Sequence, residues 1–436
     1  MNMHIKITKG LNLRLGGEPE QSIHDGPEIH HVALCGQDYI GLKPRLLVSE
    51  GDAVAHGQPL FIDKTDPDVN YCSPAQGVIA AINRGRRRVL DSIVVRLDRS
   101  DAGGHEFEPL SAGKLDDPDQ DLVAARLQQS GLWTAFRTRP FSRVPHSDSR
   151  PDAIFVTATD SRPLCADPAI VVQTDPGSLI TGLRLLPSLT PGAVYLCTGP
   201  GWDIRIPEFD RISRHVFSGP HPAGLPGTHI HHLYPAGLKR VVWQIGYQDV
   251  MAIGKLFSEG RVPVSRVIAL GGACVARPRL VKTQVGASLN ELLANEIRPY
   301  ANYRVLSGSA LDGRTASASL AYLGRYHNQV SVIPEGGDRR LFGWLGHIRK
   351  HPASTSQHGR FSAMIPLPVF EKLMPLDILP AALFRALLVK NSDQAQALGC
   401  LELDEEDLAL CAYLCPAKTD YGYALRVNLN QIERGG

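Results

Sequence analysis

Two cysteines near the end of the chain carry the plainest chemical signal: Cys411-Ala-Tyr-Leu-Cys415-Pro416. An iron–sulfur cube of the ferredoxin kind is held by C-x2-C-x2-C-x3-C-P, because four thiolates must converge on it. The last two cysteines and the proline of that pattern are present. Counting back places Glu405 and Leu408 at the other two ligand positions, and Cys400 falls outside the spacing. Glu405, Leu408, Cys411 and Cys415 therefore read as a cluster motif that no longer binds a cluster. The remaining cysteines are dispersed, so neither a disulfide framework nor a metal site is expected.

A second constellation lies near the start. Val48-Ser-Glu-Gly-Asp-Ala-Val-Ala-His-Gly-Gln-Pro-Leu60 and Ser73-Pro-Ala-Gln-Gly-Val-Ile79 resemble the two turn motifs of biotinyl/lipoyl barrel-sandwich domains. A carrier of that kind presents a lysine eight residues before the proline. Here Asp66 stands at that place and Lys64 is two positions off, so the barrel reads as a docking module. Arg84, Arg86, Arg87 and Arg88 form a basic turn. It is either a solvated hairpin or a contact for an acidic partner or lipid head groups. In Gly219–His232, four histidines sit among glycines and prolines. His229 and His231 would share a face on a strand, but no carboxylate or thiol stands at ligand spacing. This segment reads as a rigid loop at the edge of a sheet. Gly271-Gly272 reads as a strand-ending turn, and no nucleophile elbow is present.

The elements around these residues follow from periodicity. Residues 1–105 are all-β, with short apolar runs between Gly, Pro and Asp turns. Residues 100–120 form a polar linker, and Asp121–Ser130 has helical spacing. From about 150 to 255, Asp152–Thr157, Ala169–Gln173, Ala193–Thr198 and Arg240–Ile245 are strand candidates separated by periodic segments, the α/β signature. Val267–Gly271, Leu280–Val285 and Tyr303–Leu306 with a short helix at Asn290–Asn295 suggest a β-grasp unit. Beyond 340 the pattern is helical, with 346–360 a basic, polar loop. The fold class is α+β and α/β multidomain: barrel-sandwich 1–105, Rossmann-like α/β 106–258, β-grasp of the SLBB kind 259–338, and C-terminal helices 339–436. Lys plus Arg is 46 against 44 for Asp plus Glu, a formal charge of +2, so a nucleic-acid partner is not expected. No apolar run reaches the length of a transmembrane helix, and no secretory signal opens the chain. The expected address is cytoplasmic.

Longer stretches carry a specific resemblance. "LVSEGDAV", "NRGRRRVLDSIV", "SGLWTAFRTRPFSRVP", "GPHPAGLPGTHIH", "YQDVMAIGKLF", "YLGRYHNQVSVI" and "ALGCLELDEEDLALCAYLCPAKTDYG" are similar to the A subunits of bacterial Na+-translocating NADH:quinone reductases, almost continuously over 1–436. Between Trp344 and Phe370 the chain is shorter than that family. The family is in turn similar to two others, the Rnf complex C subunit family and the NADH-binding flavin subunits of respiratory complex I. Those relatives approach FMN with a "GxGGAGFPT" loop. Here it reads Gly131-Leu-Trp-Thr-Ala-Phe-Arg-Thr-Arg-Pro140, with Trp133 and Phe136 where backbone must stay open. Their "VNNVET" contact reads Val242-Trp-Gln-Ile-Gly-Tyr-Gln248, and their acidic NADH loop is not recognisable.

The resemblance implies a peripheral subunit on the cytoplasmic face of the bacterial inner membrane. It would belong to a six-subunit complex that passes electrons from NADH to ubiquinone and exports Na+. FMN, FAD, riboflavin and iron–sulfur centres are then expected in the five partner subunits and none in this chain. Its expected role is at the quinone end and in assembly, against a membrane-embedded subunit. No catalytic residue is assigned. A quinone needs an apolar slot, donors to its carbonyls and a cation near the developing charge. Trp133, Phe136, Arg137, Arg139 and Phe141 are the first candidates. Leu34, Gly36 and Tyr39 in the stretch 34–42 are the second. The competing readings are a flavin/NADH dehydrogenase of the Rnf C kind and a purely structural docking subunit.

Overall fold

The computed structural model describes residues 3–98, 104–299, 302–336, 354–356 and 362–435. Strands Ala153–Ala158, Ala193–Thr198 and Val242–Gly246 are nearly continuous apolar runs, as strands covered on both faces should be, and the more polar Ile212–Ser218 lies parallel with them. From Ala153–Ala158 the chain builds outward through Ala193–Thr198 to Ile212–Ser218. It then returns to lay Val242–Gly246 on the other side of Ala153–Ala158. That reversal makes a topological switch point, where α/β sheets open a crevice at the carboxyl ends of their strands. Arg137–Arg139 closes the sheet antiparallel to Val242–Gly246. Helices Pro176–Leu185 and Tyr247–Glu259 pack on each other beside it.

The barrel consists of one sheet with His31–Cys35, Leu90–Leu97, Gly77–Arg84 and Ala53–Val54, and a second with Pro44–Leu46, Pro59–Asp63 and Asn70–Cys72. The segment ahead of it is β, as read for residues 1–105, but its strands do not stay with the barrel. His4–Lys6 joins the α/β sheet beside Ile212–Ser218, and Glu20–Asp25 joins the β-grasp sheet beside Arg279–Gln284. Ile7, packed with Phe217 and Ile230, anchors the first of these. In the β-grasp unit, Ser265–Gly271 and Tyr303–Ser307 flank Gln329–Pro334. Five helices close the chain: Val369–Leu373, Pro380–Leu388, Ser392–Ala397, Glu405–Leu414 and Tyr421–Gly435. They share a core of their own, with Phe384 stacked on Tyr421 at 4.0 Å. The predicted loop 346–360 lies outside the described residues apart from 354–356.

Element assignments change at three places; within the predicted linker, Ala112–Asp116 is helical. Ala169–Gln173 is not a strand: Pro168–Val172 is helical, with Pro168 in the first turn and the Asp167 carboxylate accepting from the Ala169 amide. That start signal outweighs the β-branched content of the run. His229 and His231 lie on a helix, Pro226–Leu233, not on a strand or loop, and residues two apart on a helix do not share a face. His229 packs against Phe217, while His231 pairs with Glu402 at 2.8 Å.

Asp66, at the carrier-lysine position, has a definite job. It is buried and accepts from the Ser147 amide at 2.7 Å and the Ser147 hydroxyl at 2.8 Å. The barrel tip is thereby tied to the loop that follows the antiparallel edge strand, which suits docking rather than a swinging arm. Asp66→Ala leaves two donors unpaired. It is expected to lower stability by about 1–3 kcal/mol, read as a shift in the urea unfolding midpoint.

Candidate functional site

At the switch point lies a cavity of about 90 Å³. Thr157 ends one parallel strand beside it, and Gln244, Ile245 and Gly246 end the neighbouring one. Tyr247 opens the following helix, Arg137 comes from the antiparallel edge strand, and Tyr326 reaches in from the β-grasp unit.

Its chemistry is unusual in what is left unpaired. Gln244 is 3 % exposed, yet neither its amide nitrogen nor its amide oxygen has a hydrogen-bond partner. The Thr157 hydroxyl is also buried without a partner. A buried polar group without a partner costs about 1–3 kcal/mol, so a ligand able to hydrogen-bond both groups on this wall would relieve that cost. The Arg137 guanidinium sits 4.8 Å from the Tyr326 ring centre. Its carboxylate neighbours are Asp404 at 3.6 Å and Glu406 at 3.9 Å, both beyond hydrogen-bond length. Arg162 is committed instead: it binds Asp312 at 2.7 Å, Asp160, and Glu406. Burial pushes the Asp160 carboxyl up despite Arg162. The Tyr326 hydroxyl donates to the Thr134 carbonyl at 2.8 Å, and burial pushes its pKa up to about 12, so it stays neutral.

Among the eight predicted quinone residues, Arg137 alone lines this cavity. Trp133 and Phe136 do not line this cavity; Trp133 instead borders a separate one beside Ser147 and Leu189. Both aromatics are fully buried and pack with Trp243, at ring-centre distances of 5.2 Å and 5.4 Å, and Trp133 donates to the Pro145 carbonyl. Arg139 is 0 % exposed, bound by Asp404, Glu406 and Asp407, and not part of this cavity's lining. Phe141 packs against the C-terminal helical core. Leu34 pairs with Ile93 inside the barrel sheet, and Gly36 lies where any β-carbon would strike the Leu90 carbonyl. Tyr39 is buried against Tyr71 but also lies 6.3 Å from Tyr326, behind the cavity wall.

The cluster positions do not converge on an empty ligand cage. Leu408, Cys411 and Cys415 lie in the apolar core of the C-terminal helices, while Glu405 at the helix start binds Arg426 through both oxygens at 2.7 Å. Burial pushes the Cys411 thiol up to about 12. Burial would raise Cys415 too. Hydrogen bonds from the Tyr421 hydroxyl and the Thr419 and Ala417 amides outweigh it and hold that thiol below its usual value. Among the described residues, no group of three or more His, Cys, Asp or Glu side chains is placed to hold a metal ion.

Comparison with known proteins sets this geometry in a lineage. Residues 5–98 match the NqrA N-terminal barrel-sandwich hybrid domain, 118–262 the NqrA second alpha/beta domain, and 267–318 the NQRA C-terminal domain. The A subunit of the Na(+)-translocating NADH-quinone reductase from Yersinia pseudotuberculosis is 48% identical over 449 residues, covering 99% of this chain and 100% of the relative. Its counterpart from Neisseria gonorrhoeae gives the same identity and coverage. The chain belongs to the A-subunit family of Na+-translocating NADH-quinone reductases.

Among solved structures, an NAD+-reducing [NiFe]-hydrogenase chain aligns at 13% identity over 76% of this chain and 65% of its own length. Its TM-score of 0.39 is too low to carry an argument. Gln244 stands in the "VWQIGYQ" segment already singled out for its missing asparagines. Thr157 and Tyr326 carried no signal of their own, because only the packing of the β-grasp unit against the α/β sheet brings them together. No described helix is long and apolar enough to cross a membrane.

Proposed function

We propose that this chain works on the cytoplasmic face of the bacterial inner membrane as a redox-centre-free partner of the reductase. We further propose that it receives one carbonyl edge of ubiquinone in the switch-point cavity. The observation that carries this is Gln244, buried with its amide unpaired at the mouth of the parallel sheet. Its N–H group and the Thr157 hydroxyl supply two donors for a ring carbonyl, and Gln244 can accept from the hydroxyl of a quinol. Arg137, loosely held by its carboxylates, stabilises the negative charge that grows on the oxygen as electrons arrive. The cavity volume of about 90 Å³ is well below that of a site enclosing a whole ligand. The substituted ring and its tail therefore extend outward, toward partner subunits. The electrons come from those partners. Trp133 and Phe136 fill the space where relatives leave backbone open for flavin, and Leu408 and Glu405 replace cluster thiolates. Both favour a chain without its own centre.

The test is Gln244→Leu, a near-isosteric change that removes the unpaired amide. The ligand-free variant is expected to be more stable by about 1–2 kcal/mol, since a buried unsatisfied group is lost. At the same time its affinity for a short-chain ubiquinone, measured by quenching of tryptophan fluorescence, should fall at least about tenfold, the worth of one good hydrogen bond. Unchanged affinity would sink the assignment of the cavity. Arg137→Ala should weaken quinol-state binding more than quinone-state binding, because the cation acts on developing charge.

A further inference from the structure

The hairpin joining Gly77–Arg84 to Leu90–Leu97 ends in a tip that the cavity does not use. The last strand pair is Arg84 with Leu90. The tip is closed by the Gly85 amide donating to the Val89 carbonyl at 2.8 Å, and by the Arg88 amide donating to the Gly85 carbonyl at 3.1 Å. Arg84 braces it from below through the Arg88 carbonyl at 3.2 Å. The tip is therefore a fixed shape with exposed side chains.

Two features of the tip bear on its role. Arg87 and Arg88 have φ of 56° and 61°, the left-handed region, where glycine or asparagine turns a chain at lower cost. Non-glycine residues held there in succession are strained, and strain of this kind collects at functional positions. The side chains retained at that cost are both arginine. The second feature is charge. Arg84, Arg86, Arg87 and Arg88 are all exposed, and no carboxylate among the described residues pairs with any of them. Asp91, which lies against Gly85 of the turn, is engaged by Gln37 at 3.2 Å and Ser319 at 3.1 Å. The formal charge of the whole chain is +2, so this one tip carries more positive charge than the entire protein shows in net. Beside the arginines, Val89 is 55% exposed.

We propose that this hairpin tip docks the chain on the phosphate layer of an anionic phospholipid bilayer. Guanidinium groups bind phosphate oxygens in pairs, and a fan of them on a protruding tip suits a flat, fluid anionic surface. Val89 then enters the head-group region beside them, as apolar residues flanking basic clusters do. The inference does not depend on the quinone cavity.

The experiment is co-sedimentation of the full chain with phosphatidylglycerol vesicles and, separately, with pure phosphatidylcholine vesicles. The native chain is expected to bind the former, to ignore the latter, and to release as salt rises from about 50 to about 200 mM. Each arginine near an anionic surface is worth roughly fivefold in affinity, so R86Q/R87Q/R88Q together should lose about a hundredfold. R87G/R88G serves as the second variant. It relieves the strained backbone, so its unfolding temperature should rise while its vesicle binding falls. A tip that matters only as a turn would show the first change without the second. Equal vesicle binding by R86Q/R87Q/R88Q and the native chain overturns the proposal. So does a native chain that ignores phosphatidylglycerol vesicles while R86Q/R87Q/R88Q fails to co-purify with its complex, which would assign the tip to an acidic protein partner.

Discussion

Replacing Arg139 with methionine should lower stability by about 3–5 kcal/mol and loosen the C-terminal helices from the α/β sheet. Arg139 is 0 % exposed and comes from the edge strand Arg137–Arg139. It meets Asp407 at 3.1 Å, Glu406 at 3.1 Å and Asp404 at 3.5 Å. These acids belong to the run 404–407 at the start of helix Glu405–Leu414. The helix dipole favours acids there, but four in succession repel one another. Arg426 takes the other side, at 2.7 Å from Asp404 and from Glu405, and the Ser142 hydroxyl donates to Asp404 at 2.6 Å. Burial alone would raise the Asp404 carboxyl. Arg139, then a hydrogen bond with Glu405 and the charge of Arg426, outweigh it and hold that group well below the usual range. Burial, with repulsion from Glu406, leaves Asp407 up at about 6 despite Arg139.

The pH dependence of the Arg139 effect follows from these directions. A depressed carboxyl adds stability above its unfolded pKa that is lost as pH falls through the folded one; a raised carboxyl does the reverse. With Arg139 gone, the neighbouring acids lose the cation that favoured their charged form. The folded variant then holds extra protons, and its stability falls as pH rises. The gap to the native protein should therefore be small near about pH 5 and widest near about pH 8. Urea midpoints for both proteins at the two values check this. A gap that stays constant with pH would mean that Arg139 contributes packing alone. Arg139→Lys should recover only part of the loss, since an ammonium cannot span three carboxylates as a planar guanidinium does.

The same residue shows what could be read ahead of the structure. Arginine beside aromatics in an altered loop reads as a substrate cation. Its true partners lie more than 260 positions away, where no local pattern points back to it. The parallel strands Ala153–Ala158, Ala193–Thr198 and Val242–Gly246 were legible because both faces are buried and the runs are almost wholly apolar. Gln329–Pro334 was not. Its buried Gln329 and Ser331 bond to each other and to the Pro163 and Gly308 carbonyls, so polar residues interrupt the apolar run at the centre of a sheet. Ile212–Ser218 was hidden by Arg214 and His215, and the edge strand His4–Lys6 is too short and polar to register. The missing carrier lysine was legible at Asp66, but its tether to Ser147 was not. At the cavity, Arg137 could be named from its loop. Gln244 and Thr157 become a site only when the chain reverses its strand order around Ala153–Ala158, a property of topology and not of spacing.

Gly254→Val should have the other largest effect, a loss of about 3 kcal/mol or more. Helices Pro176–Leu185 and Tyr247–Glu259 touch backbone to backbone. A β-carbon on Gly254 would lie well inside 3.0 Å of the Ser178 carbonyl oxygen, and one on Gly182 equally close to the Val250 carbonyl oxygen. The obstructing atoms are main chain, so no rotamer change clears them, and the helices must part. Gly254→Ala makes the sharper measurement. In an ordinary helix, alanine for glycine gains about 1 kcal/mol from propensity. Here the sign should invert, with a lower urea midpoint for alanine and a still lower one for valine. A rise with alanine would refute the close approach. The consequence reaches the site, because helix Tyr247–Glu259 starts at the cavity. Tyr247 lines it, and Asp249, bound by Arg266 at 2.6 Å and Arg325 at 2.8 Å, fixes the β-grasp unit that supplies Tyr326. Parting the helices moves both walls. Gly254→Ala should thus weaken short-chain ubiquinone binding without altering any group that touches the ligand. Gln244→Leu should weaken it while making the protein more stable. Opposite stability changes with the same loss of affinity separate a site that is displaced from a site whose donor has been removed.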